Sequence, residues 1–398
     1  MDFHYQCTEC NREYDNSTVR YTCQVCSQGQ QPINTIRGVV RVILPYHKLN
    51  QTFSKNQFAV NRLLPIEPAY LPGYPVGNTP LIRPPLLVRE LGFSHLFFKD
   101  EAANPTGSLK DRASFLIAAQ ALKVGATSVV VASTGNAASA MAGIGAWCGL
   151  PVIIFVPHTA PRAKLAQSLI FGAQVFRLKA TYDDAFDISL KYTQKHGGLN
   201  RNTAYNPFTI EGKKTAAFEI YQQLGHRAPD VIFIPTGDGV ILSGIFKGFF
   251  DLQQLDLIEK IPQLVVCQAE GSDVIVKGLM TGTIEPRQDA HTIADSISVK
   301  VPRNGLLALK DVKASNGFGI TVSDNEILNA QSILGRTAGL FVEPAAACAF
   351  AGFLKVREGL DPEKTVVVLL TGNGLKDVRS ALKSVKLPTA IDLAEALK

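Results

Sequence analysis

Lys110 is the residue of this chain most plainly placed for chemistry. In Asn104-Pro105-Thr106-Gly107-Ser108-Leu109-Lys110-Asp111-Arg112 it follows a tight, hydroxyl-bearing turn and opens an apolar helical run, Ala113 to Leu122, just after a strand-like Leu96-Phe97-Phe98-Lys99. A surface lysine is hydrated and protonated. One drawn into an apolar cleft has a depressed pKa and becomes a nucleophile able to form a Schiff base. A solvated place in a first helical turn is the commoner fate of a lysine, but here the turn before and the helix after would seat the side chain firmly. Four cysteines form a second candidate. Cys7-x-x-Cys10 and Cys23-x-x-Cys26 are separated by twelve residues, the spacing of two knuckles that present four thiolates to one tetrahedral zinc ion. Two disulfides, disfavoured in a reducing compartment, or a ribbon that holds no metal are the alternatives, and Asn11 and Ser27 stand where ribbons usually carry glycine. Closed four-thiolate coordination leaves no position for catalysis, so zinc here is expected to be structural, folding a segment too small for its own core.

The elements that must position these residues alternate strand and helix. Strands are expected at Ser128 to Ala132, Val152 to Val156 and Val175 to Leu178, with helices from Gly135, over Arg162 to Phe171 and over Asp183 to Lys195. A second series follows: strand Val231 to Ile234, helix from Ile241, strand Leu264 to Gln268, and finally strand Thr365 to Leu370 before a helix starting at Lys376. Such alternation means parallel sheets covered by helices on both faces, so the fold class is α/β with two doubly wound parallel-sheet lobes. Residues 40–90, rich in proline, read as a connector laid over a core. Residues 1–36 form the zinc-ribbon-like segment, 104–204 the small lobe, and 37–103 with 205–398 the large one.

Ligands of such sheets sit beyond the carboxyl ends of the strands, and three loops there are informative. Ser133-Thr134-Gly135-Asn136-Ala137-Ala138-Ser139 opens a helix whose free N–H groups suit a carboxylate or phosphate, although a plain cap at Ser133 or Thr134 would explain one hydroxyl. Pro235-Thr236-Gly237-Asp238-Gly239-Val240-Ile241-Leu242-Ser243-Gly244 has the glycines that let a backbone approach a phosphate. A dinucleotide fingerprint fits it poorly, because the next glycine comes five residues on and no acid follows at the required place. Asp238 would repel a phosphate and is therefore expected to point away. The third loop is Thr371-Gly372-Asn373-Gly374-Leu375-Lys376-Asp377. Trp147, Cys148, Cys267 and Cys348 read as core.

Composition excludes little else. The 398 residues are 46% hydrophobic and 19% charged, with a formal net charge of +6 that is spread along the chain. Nucleic acid is a weak prospect, the more so because residues 1–36 are net acidic. No apolar run reaches a membrane span and the first thirty residues are unlike a secretory signal, so a cytoplasmic protein is expected.

Together these stretches resemble the pyridoxal-phosphate enzymes of fold type II, the tryptophan synthase β-subunit type, and among them threonine synthase most. The lysine turn, Gly77-Asn78-Thr79-Pro80-Leu81, the Ser133 loop, Glu343-Pro344-Ala345 and the Thr371 loop occur in family order. The resemblance implies that Lys110 holds pyridoxal 5'-phosphate, that Gly237, Asp238, Gly239, Val240 and Ile241 cradle its phosphate, that Asn136 faces its phenolic oxygen and Thr371 its pyridine nitrogen. It further implies that Ser133, Thr134, Ala137, Asn206 and Lys214 bind an amino-acid substrate, that the protein is a homodimer, and that the reaction is conversion of O-phosphohomoserine and water to threonine and phosphate. One position departs. Where the family has "NPxRxEGQKT", with an arginine for the substrate phosphate, this chain has Asn206-Pro207-Phe208-Thr209-Ile210-Glu211-Gly212-Lys213-Lys214-Thr215. A threonine cannot replace an arginine fork, so either Lys213, Lys214 or Arg201 supplies the charge, or the enzyme performs β-replacement or ammonia-lyase chemistry on another hydroxy- or phospho-amino acid.

Overall fold

The computed structural model describes residues 2–31, 34–51, 58–160, 162–390 and 392–396; residues 52–57 of the expected connector lie outside the described residues. Two sheets organise the chain. The smaller has four parallel strands in the spatial order Gln174–Leu178, Val152–Pro157, Val129–Ala132, Leu199–Asn200. The larger runs Phe318–Val322, Gln263–Ala269, Val231–Pro235, Val366–Leu370, Leu96–Asp100, all parallel, and closes with an antiparallel edge strand, Leu81–Ile82. The central strands are buried on both faces, as their unbroken Val/Ile/Leu runs require of a sheet covered by helices on either side.

The helices begin where their local chemistry allows. Thr181 and Ser323 form capping boxes with Asp184 and Glu326, and Pro344 takes the first position of helix Pro344–Val356, where its missing N–H costs nothing. Helix Lys110–Val124 packs against the short helix Phe208–Lys213. The contact is closest at Gly212, where a Cβ would overlap the Arg112 carbonyl oxygen. The helix expected from Lys376 is instead a 3-10 turn, Gly374–Asp377, followed by a short helix, Val378–Ala381. Asn373 caps the first and Asp377, in non-helical backbone, caps the second. Two caps so close together break one helix into two pieces.

The N-terminal segment is a three-stranded antiparallel ribbon, with His4–Cys7 between Glu13–Tyr14 and Val40–Ile43. It docks on both sheets' territory. Tyr21 stacks on Tyr205 at 4.6 Å and its hydroxyl accepts the Asn200 N–H at 2.9 Å. On the other side the Ile36 N–H donates to the Arg303 carbonyl at 3.0 Å, Thr35 donates to the Pro302 carbonyl, and Arg41 pairs with Asp311. Cys267 and Cys348 are buried, as read from sequence, but Trp147 is 59% exposed. It lies on the outward side of helix Asn136–Cys148, with Tyr74 of the connector 5.4 Å away. No helix among the described residues is long and apolar enough to cross a membrane.

Candidate active site

A cleft of about 400 Å³ opens at the carboxyl ends of strands from both sheets, with Lys110, the loop Ala132 to Ala137, Lys164, Thr181 to Asp183, Arg201, Thr203, Asp238 and part of the stretch 290–301 on its wall. Lys110 is half-buried at the first position of its helix. Burial pulls its pKa down, partly opposed by the Glu343 carboxylate and assisted by the Arg201 guanidinium. A lowered pKa is the direction expected of an amine drawn into a cleft.

The turn before Lys110 is held from three sides. Thr106 donates through both its N–H and its hydroxyl to Asp111, at 2.7 and 2.5 Å. The Leu109 N–H donates to the Thr371 carbonyl at 2.9 Å, and the Asn373 N–H to the Gly107 carbonyl at 2.9 Å. Behind these, Arg112 reaches Glu101 and Glu219 with bonds of 2.6 to 2.7 Å, and Lys99 joins Glu219 at 2.7 Å. The Gly77-Asn78-Thr79 stretch finds its purpose here. Its Asn78 and Thr79 N–H groups donate to Glu219 at 2.9 and 3.2 Å, and the Gly77 N–H to the Asn104 side chain at 3.1 Å. It supports the lysine turn rather than facing the cleft.

The Ser133 loop behaves as read: it lies on the wall and leads into helix Asn136–Cys148 with Gly135 as the cap. The Asn136 amide donates to both Glu343 oxygens at 3.0 Å. Glu343 is buried and was not assigned a role from sequence; its turn gives no sign that the side chain reaches across to Asn136. Tyr182, Asp183 and Lys164 were missed as well, since they carry no motif of their own. Arg303 pairs with Asp183, Lys164 with Asp295, and Lys376 reaches Gln167 and Ser139, at 3.1 Å for the latter. These contacts span the cleft between the two sheets' territories.

The glycine loop ends strand Val231–Pro235, and helix Val240–Gln254 starts from Gly239 at φ +87°, a left-handed conformation natural to glycine. Asp238 does not turn away. It lies on the cleft wall, because its carboxylate accepts the Arg303 N–H at 3.0 Å and its carbonyl the Asn304 N–H. Burial raises its pKa, opposed by the Arg303 N–H and by the Arg303 and Lys213 charges. Asn206 is placed off the wall, its amide shared between Gln120 and the Asn200 carbonyl at 2.9 Å each. Lys214 is likewise withdrawn into a buried ion cluster with Glu211 and Asp251, at 2.5 and 2.8 Å. Thr209 is fully buried and its hydroxyl donates to the Asn206 carbonyl at 2.7 Å.

Residues 73–372 match the family described as pyridoxal-phosphate dependent enzyme. The chain belongs to the pyridoxal-phosphate dependent enzymes. Relatives in this family include threonine synthase from Methanosarcina acetivorans, 35% identical over 98% of this chain and 96% of that protein, and threonine synthase from Methanocaldococcus jannaschii, 34% identical over 97% and 96%. Among solved structures, a fungal L-serine ammonia-lyase from Rhizomucor miehei superposes with a TM-score of 0.68 at 24% identity, covering 77% of this chain and 97% of that one. Diaminopropionate ammonia lyase from Escherichia coli does so with 0.68 at 16% identity, covering 93% and 95%; both likenesses concern the fold. The cleft can receive the family's cofactor: Lys110, the N-terminus of helix Asn136–Cys148 and Asp238 of the glycine loop stand on its wall, while Gly237, Gly239, Val240, Ile241 and Thr371 lie behind it, Thr371 joined to the lysine turn through its carbonyl. Ser108, in the lysine turn, has a buried Oγ with no partner among the described residues, and a bound group would satisfy it.

Away from the cleft, the ribbon brings Cys7, Cys10, Cys23 and Cys26 together with all four sulfurs within 4.8 Å of one another. Cys7 and Cys26 sulfurs are 3.8 Å apart and those of Cys10 and Cys23 3.7 Å. Thiolates about 2.3 Å from a tetrahedral zinc ion would be about 3.8 Å from each other, whereas disulfide sulfurs approach to about 2.05 Å.

Proposed function

We propose that this enzyme converts O-phosphohomoserine and water to threonine and phosphate. The near full-length match to two archaeal threonine synthases carries the reading. Lys110 would hold pyridoxal 5'-phosphate, Gly237 to Ile241 its phosphate, Asn136 its phenolic side and Thr371 its ring nitrogen. When bound, the cofactor would supply an electron sink for the negative charge that develops on the substrate's carbon chain. Ser133, Thr134 and Ala137, at a helix N-terminus on the wall, would hold the substrate carboxylate. Freed by the substrate amine, Lys110 would take the proton from Cα and act again at Cβ. Phosphate would leave Cγ with the bonding electrons, the proton taken from Cβ would be delivered to Cγ, the hydroxyl of water would add at Cβ with its other proton passing to the released phosphate, and Lys110 would return the Cα proton.

A second reading is β-replacement on a different phospho-amino acid, favoured by Thr209 and by the withdrawal of Asn206 and Lys214 from the cleft. Phosphate release from a panel of phospho- and acetyl-amino acids tests both. Turnover of O-phosphohomoserine in water, with threonine as product, is the expected result. Release that needs an added nucleophile, from a substrate one carbon shorter, would replace the first reading by the second.

The reading extends to a homodimer in the cytoplasm, with one structural zinc per chain in the ribbon. Metal analysis of protein purified without chelator is expected to give one zinc per chain. Content that stays well below one after refolding with added zinc would remove the metal from the account.

A further inference from the structure

We infer that Arg201 is the phosphoryl receptor of the cleft, the guanidinium that grips the phosphomonoester of the amino-acid substrate. The inference rests on the reading that the substrate is a phospho-amino acid, whichever one, and follows from what the other cations of the cleft are doing.

Lys110 is committed to the cofactor. Lys164 is paired with Asp295, and Lys300 is half exposed at 50% with Asp289 3.7 Å away. Lys214 is neutralised by two carboxylates, and Lys213 is buried in its helix and off the cleft wall. Arg201 alone among these lines the cleft, is fully buried and forms no ion pair among the described residues. Its contacts are two long ones, from Nε and Nη2 to the Ser114 hydroxyl at 3.4 Å. A buried guanidinium without a counter-ion is costly unless a ligand provides one.

Its position is also suitable. Arg201 directly follows the strand Leu199–Asn200, and its N–H donates to the Val130 carbonyl at 2.8 Å, so its backbone is fixed to the sheet. Ser114 lies four residues beyond Lys110, on the same face of the helix. The guanidinium therefore contacts the helix one turn beyond Lys110, close enough for its charge to lower the pKa of that amine. Burial draws its pKa down to about 10, which leaves it charged at neutral pH. A planar fork with free N–H groups suits two oxygens of a phosphomonoester. Thr209, sealed against the Asn206 carbonyl, offers nothing comparable.

Holoenzyme is the material for the test, so that the cofactor's own phosphate site is filled. Titration calorimetry with inorganic phosphate on wild type, Arg201→Gln and Arg201→Lys is expected to show binding weakened roughly ten- to a hundredfold in the glutamine variant, the loss of one charge-assisted contact. The lysine variant should fall between. In steady state Arg201→Gln should raise KM for the phospho-amino acid by a similar factor and lower kcat less. Spectral binding of a phosphate-free amino acid should be unchanged, and thermal stability equal or higher, because an unpaired buried charge has been removed. Unchanged phosphate affinity in a folded, cofactor-loaded Arg201→Gln protein would overturn the inference. So would equal weakening for the phosphate-free amino acid, which marks a merely structural role. A wild type that binds phosphate through Arg201 yet releases none from any phospho-amino acid would leave the receptor standing and overturn the proposed reaction.

Discussion

Lys110→Ala is expected to abolish turnover, by on the order of 10³-fold or more, since the same amine anchors the cofactor and moves the protons. Borohydride reduction of the wild-type holoenzyme followed by peptide mapping should place the pyridoxyl label on Lys110, and the alanine variant should take up no label. The fold should survive, because Lys110 is half-buried and its turn is held by the backbone bonds of Leu109 and Asn373 and by the Thr106 to Asp111 pair rather than by the lysine itself. A label on another lysine, or an alanine variant that retains most of its activity, would contradict this assignment.

The second large effect concerns stability. Arg112 is 2% exposed and bridges Glu101 and Glu219, and Glu219 also receives Lys99 and the Asn78 and Thr79 N–H groups. Removing its guanidinium strands two buried carboxylates, and breaking such a buried pair from one side costs about 3–5 kcal/mol. Chemical denaturation of Arg112→Ala should show that loss, together with weaker cofactor retention, because the lysine turn rests on the same cluster. The pH dependence has a definite sign. Burial alone would raise the Glu219 pKa, but Arg112 and Lys99 more than reverse this and hold it at about 2 against an ordinary 4.5. Its stabilisation is then complete above about 4.5 and is lost as pH falls through about 2. In Arg112→Ala the acid limb of the stability curve should move to higher pH, and an unmoved limb would refute the role given to this pair.

How far the sequence disclosed the site depended on the range of the forces involved. The Ser133 loop, the glycine loop and the lysine turn are local: a tight turn or helix start needs glycine, asparagine and hydroxyls at fixed offsets, and these stand side by side in the chain. The strands were legible for a similar reason, since burial on both faces demands continuous apolar runs. What supports the loops was not legible. Glu219 sits within helix Thr215–Gln223, where an acid ordinarily faces solvent, yet its partners Lys99 and Arg112 lie more than a hundred residues earlier. Glu343 stands in the sequence just before Pro344 at a helix start, while its carboxylate meets Asn136 across 207 positions. Lys214 stood in the sequence as one possible charge for the substrate phosphate; its own counter-charges are Glu211 and, on another helix, Asp251. Asp238 was expected to avoid an anion site on charge alone, whereas the Arg303 N–H fixes it on the wall.

The docked ribbon has a consequence for the order in which the chain is made. Its strands, His4–Cys7, Glu13–Tyr14 and Val40–Ile43, lie within one short stretch of chain, but the surfaces that cover it are synthesised much later. Tyr21 waits for Asn200 and Tyr205, and Arg41 waits for Asp311. At bacterial or eukaryotic synthesis rates of about 5–20 residues per second, the interval between residues 43 and 311 lasts roughly 15–50 s. Throughout it Phe3, Tyr5 and Val42, all buried in the finished protein, have no large lobe to rest on. One zinc ion on the four sulfurs, as proposed, would hold the ribbon's shape through that interval; without it these side chains would stay uncovered until the lobe is made.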